Sequence, residues 1–123
     1  MRGGNPSPPP RSPALRRVAE LVTADPAGAH SLAELAGRLH VSTRHLTRLF
    51  REELGTTPAR YVESIRFDIA KSLLDQGYTA TKAASLAGFA SYESLRRVFT
   101  RELSLTPAAF QRRFGTARRE RAE

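Results

Sequence analysis

The sequence contains two copies of one twenty-residue pattern. Residues 42–61 read STRHLTRLFREELGTTPARY, and residues 91–110, at an offset of 49, read SYESLRRVFTRELSLTPAAF, with nine identical positions. In both copies a Ser precedes apolar residues at helical spacing, and a Thr-Pro pair follows. This order is typical of a capped helix followed by the start of another helix. The chain therefore has to fold around two similar helical units.

Helical periodicity extends over most of the chain, and no strand-like alternation persists. We predict an all-α fold of about seven helices, with two helix-turn-helix units joined by a long central linker helix. The predicted segments are a first helix at about 13–24, a first helix-turn-helix unit at about 31–54, a linker helix at about 57–76, a second unit at about 79–103 and a final helix at about 106–114.

Each predicted unit has a short helix, a tight turn and a longer Ser-capped helix, which is the helix-turn-helix arrangement. The offset is 48 before the turn and 49 after it, so the second turn has one extra residue. The Pro/Gly/Ser-rich residues 1–11 predict a flexible linker or tail, residues 12–114 a folded domain, and residues 115–123 a charged tail.

The linker helix is predicted to carry two apolar stripes, roughly 120° apart at about 100° per residue. The first stripe is Val62, Ile65, Ile69 and Leu73, and the second is Phe67, Ala70 and Leu74. Because a surface helix needs only one stripe, two stripes favour a central helix with one unit packed on each side. A helix deeply buried in a single core is the alternative.

The charge favours a polyanionic partner. The net charge is +8, and of the 20 basic residues only Lys71 and Lys82 are Lys. Arg binds phosphate or a guanine edge with two parallel hydrogen bonds, although an Arg-rich composition also follows from a GC-rich genome. The absence of Cys excludes disulfides and thiolate zinc sites. No apolar run is long enough for a membrane span, so we expect a cytoplasmic protein. We also expect no cofactor and no metal.

The predicted longer helix of each unit leaves a polar face opposite its apolar residues. In the first unit this face is Arg44, Thr47, Arg48 and Arg51, and in the second it is Tyr92, Glu93, Arg96, Arg97 and Thr100. Arg, Thr and Glu are suited to base edges in the major groove. A solvated face with salt bridges, such as Arg48 with Glu52, is the alternative. Differences between the copies concentrate on this face, which favours two readers of different targets.

The segments SLAELAGRLHVSTRHLTRLFREELGTTPARYV and GFASYESLRRVFTRELSLTPAAFQRRF resemble the C-terminal DNA-binding domain of AraC/XylS-family transcriptional regulators over about residues 12–114. The resemblance implies duplex DNA binding, with a recognition helix of each unit in successive major grooves. The implied base-contacting residues are Arg44, Thr47, Arg48, Tyr92, Glu93, Ser94, Arg96 and Arg97. The implied phosphate-contacting residues are Ser42, Thr43, Arg51, Ser91 and Thr100.

The resemblance also implies RNA polymerase as a partner and a sensor domain that precedes this chain. The phrases HLTRLFREELGTTPARYV and SLRRVF are similar to the subgroup whose N-terminal domain is glutamine amidotransferase-like. We expect the isolated domain to be monomeric, because both recognition helices lie in one chain.

Two positions depart from the family pattern. His40 stands where the first turn often has Gly, so a left-handed backbone there has a cost. Ala80 and Ala83 stand where larger aliphatic residues are common. Because of these two alanines, the fifth helix should pack less apolar area. We therefore predict that the second unit is the less stable or more loosely docked one.

Two other function classes remain for comparison. A protein-interaction module would use the same Arg and Glu residues against a protein surface. An enzyme is not supported, because His30, His40 and His45 are the only histidines and have no nucleophile or metal-ligand spacing. No catalytic residue is therefore predicted.

Overall fold

The computed structural model describes residues 12–115, which contain seven α-helices and no strand. The helices are α1 (Pro13–Ala24), α2 (Leu32–Leu39), α3 (Thr43–Leu54), α4 (Pro58–Asp75), α5 (Ala80–Ala87), α6 (Tyr92–Leu103) and α7 (Pro107–Phe114). This confirms the all-α prediction. The predictions for residues 1–11 and 116–123 lie outside the described residues.

Local capping accounts for where most helices begin. The side-chain oxygens of Ser42 and Ser91 accept hydrogen bonds from the backbone N–H three residues later, and Thr57 and Thr106 do the same at α4 and α7. Each such cap stabilises its helix by about 1 kcal/mol. At α2 the Ser31 oxygen accepts from the Glu34 amide at 3.2 Å. The Glu34 carboxylate lies 3.7 Å from the Arg38 guanidinium instead of completing a reciprocal cap.

The two turns share a left-handed residue at the end of the short helix. His40 (φ 59°) ends α2 and Gly88 (φ 96°) ends α5. The following residue donates to the short helix in both units, from Val41 to the Ala36 carbonyl at 3.1 Å and from Phe89 to its counterpart at 2.9 Å. His40 therefore has the left-handed backbone that is costly for a residue with a Cβ atom.

The core consists of two clusters, one for each unit. The first contains Leu15, Val18, Val22, Leu35, Ala36, Leu46, Phe50 and Val62. The second contains Phe67, Ala70, Leu74, Ala83, Ala84, Ala87, Leu95, Val98 and Phe99. Both include residues of α4, so the prediction that the linker helix packs on both units is correct.

The predicted division of α4 into two lengthwise stripes is wrong. Val62 and Ile65 belong to the first cluster, but Ile69 and Leu73 of the same stripe pack against the second. Val62 and Leu73 are about 16 Å apart along a helix rising 1.5 Å per residue. The first half of α4 therefore packs on the first unit and its second half on the second unit.

The repeat recurs in the aromatic packing. The rings of Phe50 and Tyr61 lie 5.2 Å apart at 59°, and those of Phe99 and Phe110, their counterparts 49 residues later, lie 5.3 Å apart at 62°. Helix α7 thus packs on the second unit as the start of α4 packs on the first. The side-chain amide of Gln111 also donates to the carbonyls of Leu74 and Tyr78, at 2.9 and 2.7 Å, near the end of α4.

The two copies of the repeat differ in burial at the last residue of the longer helix. Leu103, the last residue of α6, is 37% exposed, whereas its counterpart Leu54 packs against the first cluster. The start of α1 lies beside this end of α3, where the Ser12 amide donates to the Glu53 carboxylate at 3.0 Å. Helix α1 has no copy in the repeat, so the two helix ends have different neighbours.

Candidate nucleic-acid interface

The first polar face forms on α3 because Leu46 and Phe50 are fully buried on the opposite side. The face surrounds a shallow depression of about 350 Å³. Its lining consists of five of the predicted site residues, namely Thr43, Arg44, Thr47, Arg48 and Arg51. The structure therefore brings the predicted residues of the first unit together on one accessible surface.

The cations of this face are not neutralised by carboxylates. The Arg48 guanidinium donates to Nδ1 of His45 at 3.0 Å, and within residues 12–115 it forms no salt bridge with Glu52, the alternative considered above. Within residues 12–115, neither Arg44 nor Arg51 has a hydrogen-bond or ion-pair partner. These three guanidinium groups are therefore available to an anion.

The second polar face, on α6, is internally paired. The Arg96 guanidinium donates to both carboxylate oxygens of Glu93, with a shortest contact of 2.5 Å. The hydrogen bond from Arg96 lowers the pKa of the Glu93 carboxyl, and the charges of Arg96 and Arg97 lower it further. The same hydrogen bond raises the pKa of Arg96. The pair is exposed to solvent, with side-chain exposures of 40% for Arg96 and 52% for Glu93.

The other predicted residues of the second unit are distributed around α6. Glu93, Arg97 and Thr100 are exposed, whereas Tyr92 and Ser94 are half-buried. Ser94 lines a cleft of about 610 Å³ between α4 and α6, together with Arg96 and Arg97. The second unit thus offers both an outward face and a groove beside the linker helix.

Two residues of this groove were not predicted from the sequence. The Arg101 guanidinium donates to Glu63 of α4 at 2.6 Å and to its neighbour Glu102 at 3.0 Å. These hydrogen bonds raise the pKa of Arg101. Glu63 and Arg101 are 38 residues apart, so no local pattern connects them.

The hydroxyl groups of the capping serines accept hydrogen bonds from backbone amides, and that of Ser42 retains its hydrogen for a phosphate. The hydroxyl oxygen of Ser42 accepts from the His45 amide at 3.0 Å, and that of Ser91 from the Ser94 amide at 3.1 Å. A hydroxyl that accepts from an amide still has its own hydrogen to donate. In the second unit the Ser91 and Ser94 hydroxyls also lie 3.1 Å apart and share one hydrogen bond.

His30 is buried and makes hydrogen bonds within the fold. His30 is 8% exposed, with Nε2 at 2.6 Å from the Asp25 carbonyl and Nδ1 at 3.3 Å from the Arg38 guanidinium. Because Arg38 can only donate, Nδ1 is the acceptor and Nε2 carries the hydrogen.

Residues 12–115 contain no group of three His, Asp or Glu side chains that could hold a metal ion, and no helix there is long and apolar enough to cross a membrane.

Comparison with known proteins places this geometry in a family. A family model described as a helix-turn-helix domain matches residues 35–113. The transcriptional regulator Rv1931c of Mycobacterium tuberculosis is 40% identical over 88 residues, which are 71% of this chain and 34% of that protein. RipA of Corynebacterium glutamicum is 36% identical over 105 residues, 85% of this chain and 31% of that protein. An AraC-type DNA-binding-domain regulator from Chromobacterium violaceum has a TM-score of 0.76 and 27% identity, over 82% of this chain and 91% of that one.

The chain belongs to the AraC-type helix-turn-helix family of DNA-binding domains. The predicted resemblance is confirmed at this level, and so is the prediction that the chain is not an enzyme. The DNA-binding domain of AdpA, solved in complex with a target DNA, has a TM-score of 0.78 and 28% identity, over 89% of this chain and 99% of that one. The chain spans about a third of the length of the first curated relatives.

Proposed function

We propose that this AraC-type domain binds duplex DNA sequence-specifically, with α3 and α6 in successive major grooves, to regulate transcription. The observation that carries the proposal is the repeated polar face. Each unit buries the same Leu and Phe positions, Leu46 and Phe50 or Leu95 and Phe99, and exposes Arg together with Thr or Glu on the opposite side of its longer helix. Net charge of +8 supplies the attraction to DNA.

In the first unit, Arg44, Thr47 and Arg48 are the proposed base-contacting residues. Arg bonds the O6 and N7 of guanine, and Thr offers a hydroxyl and a methyl group for thymine. Ser42, Thr43 and Arg51 lie at the beginning and edge of the same face and are the proposed phosphate contacts. The positive end of the helix dipole at Ser42 favours a phosphate there.

In the second unit, Glu93 is the proposed acceptor for a cytosine amino group, while Arg96 and Arg97 donate to guanine. The Glu93 and Arg96 side chains are paired at 2.5 Å. Their neighbours Tyr92 and Ser94 are further base-contacting candidates, and Ser91 and Thr100 are phosphate candidates. The second unit therefore presents a pair of opposite charges, unlike the cationic first unit.

The longer protein remains a matter of proposal. The similarity of HLTRLFREELGTTPARYV and SLRRVF to one subgroup supports a glutamine amidotransferase-like sensor domain as the proposed N-terminal partner. RNA polymerase is the proposed protein partner, the cytoplasm the proposed location, and the isolated domain is proposed to be monomeric. We also propose that the DNA-binding domain begins at residue 12 and ends at residue 114.

Selection from random duplex DNA, followed by footprinting at two salt concentrations, tests the function. Arg48→Ala and Arg97→Ala should each weaken binding by about 1–3 kcal/mol and relax preference at a different groove segment, about one helical turn apart. Arg17→Ala, which removes the same charge from an exposed i,i+3 pair with Glu20 on α1, is the matched control.

Three results would contradict parts of this proposal. Changes at the same base pairs in both variants would overturn the two-groove arrangement. Equal losses in Arg17→Ala would reduce the effect to net charge. Recovery of no preferred sequence would overturn specific recognition and favour the protein-interaction module.

A further inference from the structure

The loop between α1 and α2, residues 25–31, contacts the linker helix through one side chain. Arg66 of α4 donates from Nε to the Pro26 carbonyl at 2.9 Å and from Nη2 to the Gly28 carbonyl at 3.0 Å. The guanidinium is half-buried, and its burial lowers the pKa of Arg66. Hydrogen bonds that involve a charged donor are about twice as strong as neutral ones. Arg66 therefore binds a first-unit loop to the linker helix.

The same loop touches the turn of the second unit. A Cβ atom at Gly88 would lie 2.2 Å from the Pro26 carbonyl oxygen and 2.7 Å from Nε of Arg66. Real Cβ atoms do not approach that closely, so the loop carbonyl occupies the space that a side chain would need. Gly88 stands three residues before Ser91, the cap of α6. The loop thus lies directly against the segment that begins the second recognition helix.

The loop is internally braced. The Asp25 carbonyl accepts from the Gly28 amide at 2.9 Å and from Nε2 of His30 at 2.6 Å. His30 is in turn bonded to Arg38 of α2 at 3.3 Å. A displacement of the loop would break these hydrogen bonds as well. The loop therefore keeps a fixed conformation between the first unit and Gly88.

A second contact, one helical turn from the first, ties α4 to α6. Glu63 pairs with Arg101 at 2.6 Å. This pair is partly exposed, with side-chain exposures of 34% and 44%, and surface pairs of this kind contribute little on their own. The half-buried Arg66 contact, which joins the α1–α2 loop to the linker helix beside Gly88, is therefore the stronger of these two polar restraints.

We propose that Arg66 is a positioning residue that sets the separation of α3 and α6, and thereby the spacing of the two DNA segments that the domain reads. This inference rests on the proposed function. Arg66 contacts the loop rather than DNA, and it acts through Pro26 and Gly88. It therefore determines which spacing between the two segments is bound, without determining which bases are preferred in either.

The test uses the 123-residue chain and duplexes carrying the selected site, with the two segments moved apart or together by one and two base pairs. The wild type should bind one spacing best and lose about tenfold in affinity for a one-base-pair change, the order of one mismatched pair. Arg66→Met removes both donors. It should reduce the difference between spacings to about twofold, while a duplex with the first segment alone is bound as by the wild type.

Arg17→Met makes the same change at an exposed α1 residue and should keep the wild-type spacing preference. If Arg66→Met keeps that preference too, the inference is wrong. Equal weakening on every duplex, including the single segment, would indicate a general folding role and also overturn it. If circular dichroism shows that Arg66→Met is unfolded, the same comparison of spacings is made with Arg66→Gln, which keeps one donor group. A wild type indifferent to spacing would instead refute the proposed two-groove function.

Discussion

The two helix-turn-helix units have the same backbone plan but obtain their stability and charge differently. Leu35 of α2 and Ala83 of α5 occupy equivalent places, 48 residues apart, and both are fully buried. Helix α2 therefore contributes larger side chains to its cluster, whereas α5 packs mainly on α4 through small ones. The two units therefore share a backbone geometry but differ in how their short helices pack.

The recognition faces differ in the same sense. The first has three guanidinium groups without a carboxylate partner in the described chain, and the second holds a bonded Glu93 and Arg96 pair. We expect the first unit to supply more of the salt-dependent attraction, since unpaired cations release more counterions from DNA. If Glu93 and Arg96 contact bases as proposed, we expect the second unit to contribute more to discrimination, because both of its charges then need matching bases.

The largest expected difference between the units concerns their glycines. Gly88 and Gly55 both have positive φ, but a Cβ at Gly55 would meet nothing within 4 Å. Gly55→Ala should therefore cost about 1 kcal/mol of unfolding free energy, from backbone strain alone. Gly88→Ala should cost about 3 kcal/mol or more, because its methyl group also collides with the Pro26 carbonyl. Urea denaturation measures both, and similar losses would contradict the close contact of loop and turn.

Much of the fold was predictable because its signals are local. Ser42, Ser91 and the Thr-Pro pairs at residues 57 and 106 mark helix starts within three or four residues of sequence. The polar faces of α3 and α6 were predictable for the same reason, since helical spacing alone places Leu46 and Arg48 on different sides.

The contacts between the units were not predictable. Arg66 and Pro26 are 40 residues apart, and only the folded chain brings them together. The division of α4 along its length failed for a related reason. Periodicity gives the direction in which Ile69 points but not how far each unit extends along the helix. The exposure of Leu103 likewise depends on which element covers the helix end.

Hydrogen exchange tests whether the second unit is the more loosely packed. Leu35 removes more apolar surface from water than Ala83 does, so local opening of α2 should cost more than opening of α5. We expect amides in the last turn of α5 to exchange about tenfold faster than those in the last turn of α2, a difference of about 1.4 kcal/mol. Equivalent positions in the two helices serve as mutual controls. Slower exchange in α5 would show that close packing of Ala on α4 outweighs the smaller side chains.

A substitution in the first turn should have a smaller effect on the unfolding free energy, and one of the opposite sign. His40 adopts φ 59° where the second unit has glycine, and a residue with a Cβ is strained there. His40→Gly should therefore stabilise the chain by about 0.5–1 kcal/mol, less than the full strain because glycine also loses more entropy on folding. His40→Ala, which keeps the Cβ, is the control and should bring no gain. A gain of equal size in both variants would mean that the imidazole, rather than the backbone, is unfavourable.

The smallest expected difference is the pH response of the Glu93 and Arg96 pair, which has no counterpart at Arg44 and Thr47. The hydrogen bond from Arg96 lowers the pKa of Glu93 in the folded chain below its ordinary value of 4.5. The pair therefore contributes stability above about pH 4.5, and this contribution is lost as the pH falls through the lower folded pKa. Wild type and Glu93→Gln should differ slightly in unfolding free energy at neutral pH and converge in acid. Arg44→Gln should show no such convergence, and a constant difference for Glu93→Gln would mean that the pair does not form in solution.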